Sequence, residues 1–352
     1  MFDPRGGVNL KYPVLKIGDI EIKNRSVLAP LAGISDLPFR MINRRYGCEL
    51  AFIEMISVHA LNYRSKKTLK MLVTRPDDRP LGLQILGREY DSILQALDSI
   101  EHMDIDILDF NAACPVKKVA RRGEGAALMK EPEVLEGILT LLVKHSHKPV
   151  TVKIRAGWDA NTINAAEVAR RAEGAGVSAI FIHGRTRTQG YSGKVSYDPI
   201  REAKEAVSIP VIASGDMFSA KASKLMMART GCDGVVMARG ALGNPWIFPE
   251  TAEYLRTGIV PPRPSIVEIT DVMQWHLREC VGFYGEVQSV KIFRKFFIWY
   301  TKGLKNVKPL RMQAVRAKES EEMHALIEDL REHNLEGEEA PPKTRLPFHT
   351  DV

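Results

Sequence analysis

The stretch of residues 151–215 contains three short apolar runs, TVKI (151–154), AIFIHG (179–184) and PVIASG (210–215), and an amphipathic segment at 164–175. Because the runs are continuously apolar and do not alternate with polar residues, they indicate β-strands covered on both faces. A spacing of about 25–45 residues leaves room for a crossover helix after each strand. This part of the chain therefore predicts β/α units in a parallel sheet.

The same pattern extends in both directions along the chain. Five more apolar runs lie at 26–31, 50–55, 81–86, 107–112 and 234–239, and further amphipathic segments lie at 91–99, 132–144 and 219–230. Eight β/α units in about 240 residues are typical of a TIM (β/α)8 barrel. A doubly wound sheet would carry a complete glycine fingerprint after an early strand, and the only near match, GEGAAL (123–128), is incomplete. We therefore predict an α/β fold with a barrel over residues 1–260.

The last third of the chain has a different pattern. Pro261, Pro262 and Pro264 interrupt the sequence, and no strand pattern follows them. Residues 266–284, 287–301, 313–318 and 323–330 have the periodicity of helices. We predict a smaller all-helical domain over residues 261–335, followed by a disordered tail at 336–352 that is rich in Glu and Pro.

Composition excludes several classes of protein. With 45% hydrophobic and 26% charged residues over 352 positions, the chain is neither collagen, coiled coil nor wholly disordered. No apolar run approaches a membrane span, and Pro4, Gly6, Gly7 and Pro13 fall where a signal peptide would be apolar. We expect a cytoplasmic protein without a membrane partner, and a monomer.

The cysteine and histidine spacing favours single thiols over metal sites. Cys48, Cys114, Cys232 and Cys280 are far apart and form no C-x-x-C pair, which argues against zinc binding and against a disulfide framework. Two histidines near the middle of the chain, at 145 and 147, lack a further ligand nearby in the sequence. We therefore expect no metal.

Charge is unevenly distributed. The net charge is +7, but residues 263–318 hold 11 Lys or Arg against 4 Asp or Glu, and residues 319–339 hold 9 acidic residues against 1 basic residue. The basic segment indicates a surface that binds a polyanion. The alternative is that both segments are ordinary solvated helix faces.

Two strand ends indicate a phosphate site. In TIM barrels the loops after the seventh and eighth strands often bind phosphate. Here these loops contain Ser214, Gly215 and Asp216, and Ala238 and Arg239. Small residues permit close approach and the guanidinium can pair with an anion. The alternative is ordinary turn chemistry.

Three further polar residues near strand ends indicate a flavin mononucleotide pocket. Lys153 lies within an apolar strand, where an ammonium is costly to bury without an anionic partner. Gln84 could hydrogen-bond a planar heterocycle, and His183 could hold a ring edge or a phosphate. Any one of them alone would fit a structural role, but together they favour the flavin.

Cys114 is the strongest candidate for a reacting side chain. It precedes a glycine-rich stretch and is followed by Lys117, Lys118, Arg121 and Arg122. Neighbouring cations favour the thiolate and attract anionic substrates, and a thiol can act as nucleophile or general acid. The alternative, an inert buried cysteine, is the commoner state of single thiols.

Taken together, these segments resemble the tRNA-dihydrouridine synthases, most closely the bacterial B-type branch. The matching segments are LAPLAGISDLPFR (28–40), NAACPVKKV (111–119), VKIRAGW (152–158), IHGRTR (182–187), VIASGD (211–216), RGALGNPWIF (239–248) and RK…WYTKGL (294–304). The resemblance covers residues 13–311.

This resemblance implies a reaction. NADPH would reduce bound FMN, and a uridine of tRNA would be flipped out of its stack onto the flavin. Flavin N5 would deliver hydride to uracil C6, and Cys114 would protonate C5 from the opposite face.

The resemblance also assigns roles by position. Pro30, Leu31 and Ala32 would line the flavin, Gln84 and Lys153 would contact its ring, and the phosphate would be held by His183, Ser214, Gly215, Asp216, Ala238 and Arg239. Asn111, Lys117, Lys118 and Arg185 would contact the substrate. Arg294, Lys295, Lys302 and Arg311 would contact RNA phosphates, which supply most of the salt-dependent affinity. The alternatives are an FMN barrel oxidoreductase acting on an rRNA uridine or a free pyrimidine or enone, and a catalytically silent RNA-binding flavoprotein.

Overall fold

The computed structural model describes residues 14–335. It begins with a hairpin of two antiparallel strands, β1 (Leu15–Ile17) and β2 (Ile20–Ile22), that the sequence did not predict. Leu15, Ile17 and Ile22 are buried in one apolar cluster with residues of the barrel strands, among them Phe52 and Phe181. The hairpin thus completes the core of the barrel.

Eight parallel strands close into a barrel, so the predicted fold is confirmed. The strands are β3 (Ser26–Leu28), β4 (Leu50–Ser57), β5 (Leu81–Leu86), β6 (Ile107–Asn111), β7 (Val150–Arg155), β8 (Ala179–His183), β9 (Val211–Ser214) and β10 (Gly234–Met237). Closure comes from β10, which pairs with β3 so that Val236 lies beside Val27. Nearly every residue of these strands is buried, as expected for strands enclosed by helices.

Helices follow the barrel strands. They are α1 (Leu37–Arg45), α2 (Val58–Tyr63), α3 (Lys66–Met71), α4 (Tyr90–Ile100), α5 (Lys117–Ala120), α6 (Pro132–His145), α7 (Ala165–Gly174), α8 (Asp198–Glu205), α9 (Ala220–Thr230) and α10 (Ile247–Thr257). The cap of α1 is Asp36, whose carboxylate accepts from the backbone N of Phe39, and Ser219 caps α9 in the same way. Because the eight barrel strands are parallel, their C-terminal ends all lie at one face of the barrel.

A second compact unit is entirely helical in the part of the chain that the structure describes. Its helices are α11 (Ile266–Tyr284), α12 (Glu286–Tyr300), α13 (Lys308–Ala314) and α14 (Ser320–Leu335). Of the described residues, 262–335 form this unit together with Ala241–Trp246, while 14–240 and Ile247–Pro261 belong to the barrel unit. The third predicted helix, at 313–318, corresponds to α13, which begins five residues earlier. It begins there because Pro309 occupies the first turn of α13.

The predicted disordered tail at 336–352 lies outside the described residues. Over residues 14–335, no helix is both long enough and apolar enough to cross a membrane. The same range holds no group of three or more His, Cys, Asp or Glu side chains that could bind a metal ion.

Candidate active site

Cys114 lies in the loop after β6, and its backbone is fixed by the last residue of that strand. Asn111 Oδ1 accepts from the backbone N of Ala113 at 3.0 Å and from the backbone N of Cys114 at 2.8 Å. Ala113 has no positive φ, so its Cβ causes no backbone strain. One buried amide therefore binds two successive backbone N–H groups of the loop.

The thiol of Cys114 is half-buried, and burial is the main reason that its pKa is raised above the ordinary value. Arg155 and Arg122 act in the opposite direction, with a smaller effect. Lys117 and Lys118, which follow Cys114 in the sequence, are exposed to solvent. A thiol that keeps its proton at neutral pH is suited to donate it.

Arg155 is a residue that the sequence analysis passed over. Its buried guanidinium donates to the carbonyl oxygens of Ala113 at 2.7 Å, Thr186 at 2.9 Å and Gly190 at 2.9 Å. These contacts tie the Cys114 loop to the loop after β8 and place a positive charge beside the thiol. The only signal in the sequence was a second cation two residues after Lys153 on the same strand.

Gln84 and Asp109 lie side by side on β5 and β6. Gln84 Nε2 donates to Asp109 Oδ2 at 2.6 Å, and Thr151 Oγ1 donates to Asp109 Oδ1 at 2.7 Å. The other side of the Gln84 amide accepts from Asn111 at 2.7 Å. Gln84 therefore contacts protein groups with both ends of its amide, which the sequence analysis did not anticipate.

Lys153 points toward the predicted phosphate loops. Its Nζ donates to Ser214 Oγ at 3.2 Å, and Ser214 Oγ donates to the carbonyl oxygen of Ile182 at 3.2 Å. Burial lowers the pKa of Lys153, and the charge of Asp109 only partly offsets this effect. Burial likewise raises the pKa of Asp109. An anion at this position would stabilise the ammonium form of Lys153.

His183 carries an orphaned polar atom. Its Nε2 is buried and has no hydrogen-bond partner among the residues described here. The pKa of His183 lies well below its usual value, first because of burial and then because of Arg155, Lys153, Arg185 and Arg239. The imidazole is therefore neutral at pH 7, in a positive field that favours an anion.

Gly215, in the loop after β9, packs closely against Val195 and His183. This residue has φ +131°, and a Cβ there would meet Val195 Cγ2 at 2.7 Å and His183 Cδ2 at 3.3 Å. Only glycine combines this backbone conformation with the available space. Ala238, at the corresponding end of β10, has no positive φ and packs against the barrel core.

Asp216 has a different role from the predicted one. Its carboxylate pairs with Arg185 at 2.5 Å and with Arg239 at 2.7 Å, so it neutralises guanidinium groups and cannot serve as an anion ligand through its side chain. The side chain of Arg185 is 3% exposed and also donates to the carbonyl oxygens of Ser192 and Gly193. Arg185 is thus a buried structural cation, which disagrees with its predicted contact to substrate.

The loop after β3 forms another wall of the site. Pro30 and Leu31 are half-buried and Ala32 is exposed. Ser35 Oγ accepts from the backbone N of Leu31 at 2.8 Å, which fixes the turn. These small and apolar side chains can face a planar ring without hydrogen bonds.

The residues of this pocket fit a phosphorylated flavin. A cluster of cations, an unpartnered imidazole nitrogen and a glycine without room for a Cβ suit the phosphate, and a lysine at the strand end suits an electron-rich ring. The half-buried thiol lies in the loop after β6, on the same face of the barrel.

Comparison with known proteins identifies the family. The family model for dihydrouridine synthases (Dus) matches residues 27–335. The chain belongs to the dihydrouridine synthase family. Dihydrouridine synthases are flavin-dependent oxidoreductases, so this chain is an enzyme of that type.

Curated relatives agree with this assignment over most of their length. A probable tRNA-dihydrouridine synthase of Rickettsia prowazekii is 40% identical over 292 residues, which cover 83% of this chain and 89% of the relative. The tRNA-dihydrouridine synthase B of Pseudomonas aeruginosa is 37% identical over 314 residues, covering 89% and 95% respectively. The resemblance to the B-type branch is thereby confirmed.

Solved structures with distant sequences share the fold. The amine oxidase HisD of Pseudomonas geniculata has a TM-score of 0.56 at 13% identity, over 73% of this chain and 51% of that one. Histamine dehydrogenase of a Rhizobium species has a TM-score of 0.53 at 13% identity, over 77% and 51%.

The cations that we predicted to contact RNA in this dihydrouridine synthase differ in accessibility. Within the helical unit, Arg294 donates to the carbonyl oxygen of Ala317, and Arg311 Nε donates to Thr301 Oγ1 at 2.8 Å. Lys295 lies over the ring of Trp299 at 5.8 Å. These three cations are engaged within their own unit, whereas Lys302 is exposed. Other exposed cations of this unit, which the prediction missed, include Lys305, Lys308, Arg316 and Lys318.

The barrel of this dihydrouridine synthase presents a second basic segment that sequence analysis missed. The segment of residues 63–70 follows β4 and carries four exposed cations and an exposed aromatic ring: Tyr63, Arg64, Lys66, Lys67 and Lys70. The side chain of Tyr63 is 84% exposed. The sequence held one signal, since residues 58–76 contain no Asp or Glu.

Proposed function

We propose that this enzyme reduces specific uridines of tRNA to 5,6-dihydrouridine, with FMN bound at the barrel mouth and NADPH as reductant. The observation that carries the proposal is the placement of a half-buried thiol, Cys114, on the barrel face that also carries Lys153, His183 and Arg239. A reductase that adds hydrogen across a C=C bond needs both a hydride donor and an acid. The names of the curated relatives support tRNA as the substrate.

The anion pocket would hold the flavin phosphate. His183 Nε2 and Arg239 would contact the phosphate oxygens, the backbone at Gly215 would allow their close approach, and Ser214 would orient Lys153. Asp216 would act indirectly, by keeping the guanidinium of Arg239 in place. Arg185, which is buried, would stabilise the same loop by pairing with Asp216.

The ring of the flavin would lie between the loop after β3 and the ends of β5 and β7. Pro30, Leu31 and Ala32 would line it, while Gln84 and Lys153 would face its polar edge. The bound flavin would supply the hydride for uracil C6. The ammonium of Lys153 would favour negative charge on the reduced ring, and an anion there would in turn keep Lys153 protonated.

Cys114 would supply the proton. Its raised pKa keeps the sulfur protonated at neutral pH, so that the S–H can donate to C5 of the uracil. A positioned general acid typically contributes about 10²–10⁴-fold to the rate. Asn111, which fixes the loop, would keep the thiol in position, and Lys117 and Lys118 would contact the RNA beside it.

RNA would bind through exposed cations on both units. We assign the barrel, residues 1–260, to flavin binding and catalysis, and the helical region, residues 261–335, to tRNA binding. Lys302 and its exposed neighbours in the helical unit, and the 63–70 segment on the barrel, would contact phosphates, and Tyr63 could stack on an unpaired base. The enzyme would act in the cytoplasm, as a monomer.

The proposal is tested with purified protein, NADPH and tRNA transcribed without modifications. Nucleoside mass spectrometry should detect dihydrouridine only when protein and NADPH are both present. Unmodified rRNA fragments and free uridine serve as alternative acceptors. Dihydrouridine in rRNA or from free uridine, with none in tRNA, would overturn the proposed substrate.

A further inference from the structure

Asp109 is a buried carboxylate to which the reaction described above assigns no step. It is 1% exposed and lies in the middle of β6, between β5 and β7. Each of its oxygens accepts one hydrogen bond, Oδ2 from Gln84 at 2.6 Å and Oδ1 from Thr151 at 2.7 Å. An ionised carboxylate can only accept hydrogen bonds.

This property fixes the orientation of the neighbouring amide. Because Asp109 accepts, Gln84 must present its NH2 group to the carboxylate and its carbonyl oxygen to Asn111. Asn111 then donates from its NH2 group to Gln84 Oε1 at 2.7 Å. Reversing either amide would bring two donors or two acceptors together, which is costly in a buried site.

The last link reaches the Cys114 loop. With its NH2 group turned to Gln84, Asn111 is left with its carbonyl oxygen directed at the backbone N–H groups of Ala113 and Cys114. The hydrogen bonds run from Asp109 to Gln84 and from Gln84 to Asn111, and the orientation of each side chain therefore fixes the orientation of the next one. We refer to these three side chains as the amide relay.

We propose that Asp109 is a positioning residue for Cys114, acting through the amide relay to hold the backbone of the catalytic loop. Asp109 is buried and acts through its hydrogen bond to Gln84. The inference rests on the proposed function only for the role of Cys114 as proton donor. The hydrogen bonds of the amide relay do not depend on that role.

The test compares variants that break the relay with variants that preserve it. Gln84→Met removes both amide contacts at similar volume, and Asp109→Leu removes the carboxylate. Asp109→Asn keeps a carbonyl oxygen that can accept from Gln84, so it should rescue the relay. Thr151→Val is the matched control, because it removes the other hydrogen bond of the same carboxylate and leaves the relay intact.

Hydrogen exchange of the Ala113 and Cys114 amides is the first readout, measured on the full chain with flavin bound and after flavin removal. We expect exchange to accelerate about tenfold in Gln84→Met and Asp109→Leu, the size of one lost hydrogen bond, and to change less than about twofold in Asp109→Asn and Thr151→Val. Should Asp109→Leu not fold, Gln84→Met carries the comparison. Equal acceleration in Gln84→Met and Thr151→Val, or none in Gln84→Met, would overturn the proposal.

Kinetics provide the second readout. At saturating FMN, the kcat for dihydrouridine formation should fall at least about tenfold in Gln84→Met and stay close to the wild-type value in Thr151→Val, while the KM for tRNA should change less than about twofold in both. A wild-type kcat in Gln84→Met, or an equal loss of kcat in Thr151→Val, would also overturn the proposal. If exchange responds as expected but the wild-type protein forms no dihydrouridine, the relay stands and the proposed function fails.

Discussion

Asp216 accepts hydrogen bonds from both terminal nitrogens of Arg185, at 3.1 and 2.5 Å, and does so from a left-handed backbone with φ +55°. Asp is one of the few residues other than glycine that adopt this conformation. The side chain of Arg185 is almost fully buried, and this carboxylate is its counter-charge. Asp216 also pairs with Arg239 at 2.7 Å. Its carboxylate therefore stabilises the loop after β9 and the loop after β10.

Asp216→Asn is expected to lower the free energy of unfolding by about 1–3 kcal/mol, because it leaves a buried guanidinium without its counter-charge while Asp216 itself is one-third exposed. Asn tolerates the same backbone, so strain does not contribute. Urea unfolding measures the change. Asp198→Asn, which breaks an exposed pair with Arg201, is the control and should cost less than about 0.5 kcal/mol. Equal costs for the two variants would refute a buried role for the Asp216 pair.

Lys153 should make flavin affinity depend on pH. Burial lowers its pKa, so part of the ammonium population is lost as the pH rises above neutrality. The affinity of flavin-free protein for FMN should accordingly fall between about pH 7 and about pH 9, where the phosphate of FMN is already ionised. Lys153→Gln should bind more weakly at neutral pH and show a flatter profile. A wild-type affinity that is constant or rises over this range would contradict the assignment.

Selective alkylation tests the protonation state of Cys114. Cys48, Cys232 and Cys280 are buried, so iodoacetamide should label Cys114 alone in the folded protein. Because the thiolate is the reacting form and burial raises the pKa of Cys114, the labelling rate at about pH 8 should lie below that of a free cysteine and continue to rise beyond about pH 9. Mass spectrometry of the labelled peptide, with Cys114→Ala as the blank, gives the rate. A labelling rate that stops rising below about pH 8 would contradict this prediction, because Cys114 would then already be a thiolate at that pH.

Salt dependence tests the RNA-binding surface of the helical unit. Lys302 and Lys305 are exposed, and each phosphate contact contributes about 0.7–0.9 to the slope of log affinity against log salt concentration. The double variant Lys302→Gln/Lys305→Gln should reduce the slope for tRNA by about 1–2. Lys144 and Lys221 are also exposed, and Lys144→Gln/Lys221→Gln, the charge-matched control, should leave it unchanged. An unchanged slope in the first variant would exclude Lys302 and Lys305 from the interface.

The barrel could be predicted because strands buried on both faces leave continuous apolar runs. The hairpin at 15–22 could not, because three-residue strands are too short to show a period. In the helical unit, Pro309 moved a helix boundary that hydrophobic periodicity alone placed several residues late.

The candidate residues at the strand ends were predictable, but their partners were not. Asp216 and Arg185 lie 31 residues apart in the chain, and only closure of the barrel reveals that they neutralise each other. The same holds for Arg155 and the Cys114 loop. Side-chain exposure was not evident from the sequence either: Arg294 and Arg311 bond within the helical unit, whereas Lys305 and Lys308 are exposed.

The most direct test of the account is the amount of dihydrouridine formed in unmodified tRNA by the wild-type protein and by Cys114→Ala, with NADPH and with flavin content and tRNA affinity measured in parallel. We predict that Cys114→Ala keeps its flavin and its affinity for tRNA but forms product at least about 100-fold more slowly, as expected for the loss of a general acid. Dihydrouridine formation at the wild-type rate by Cys114→Ala would contradict the account.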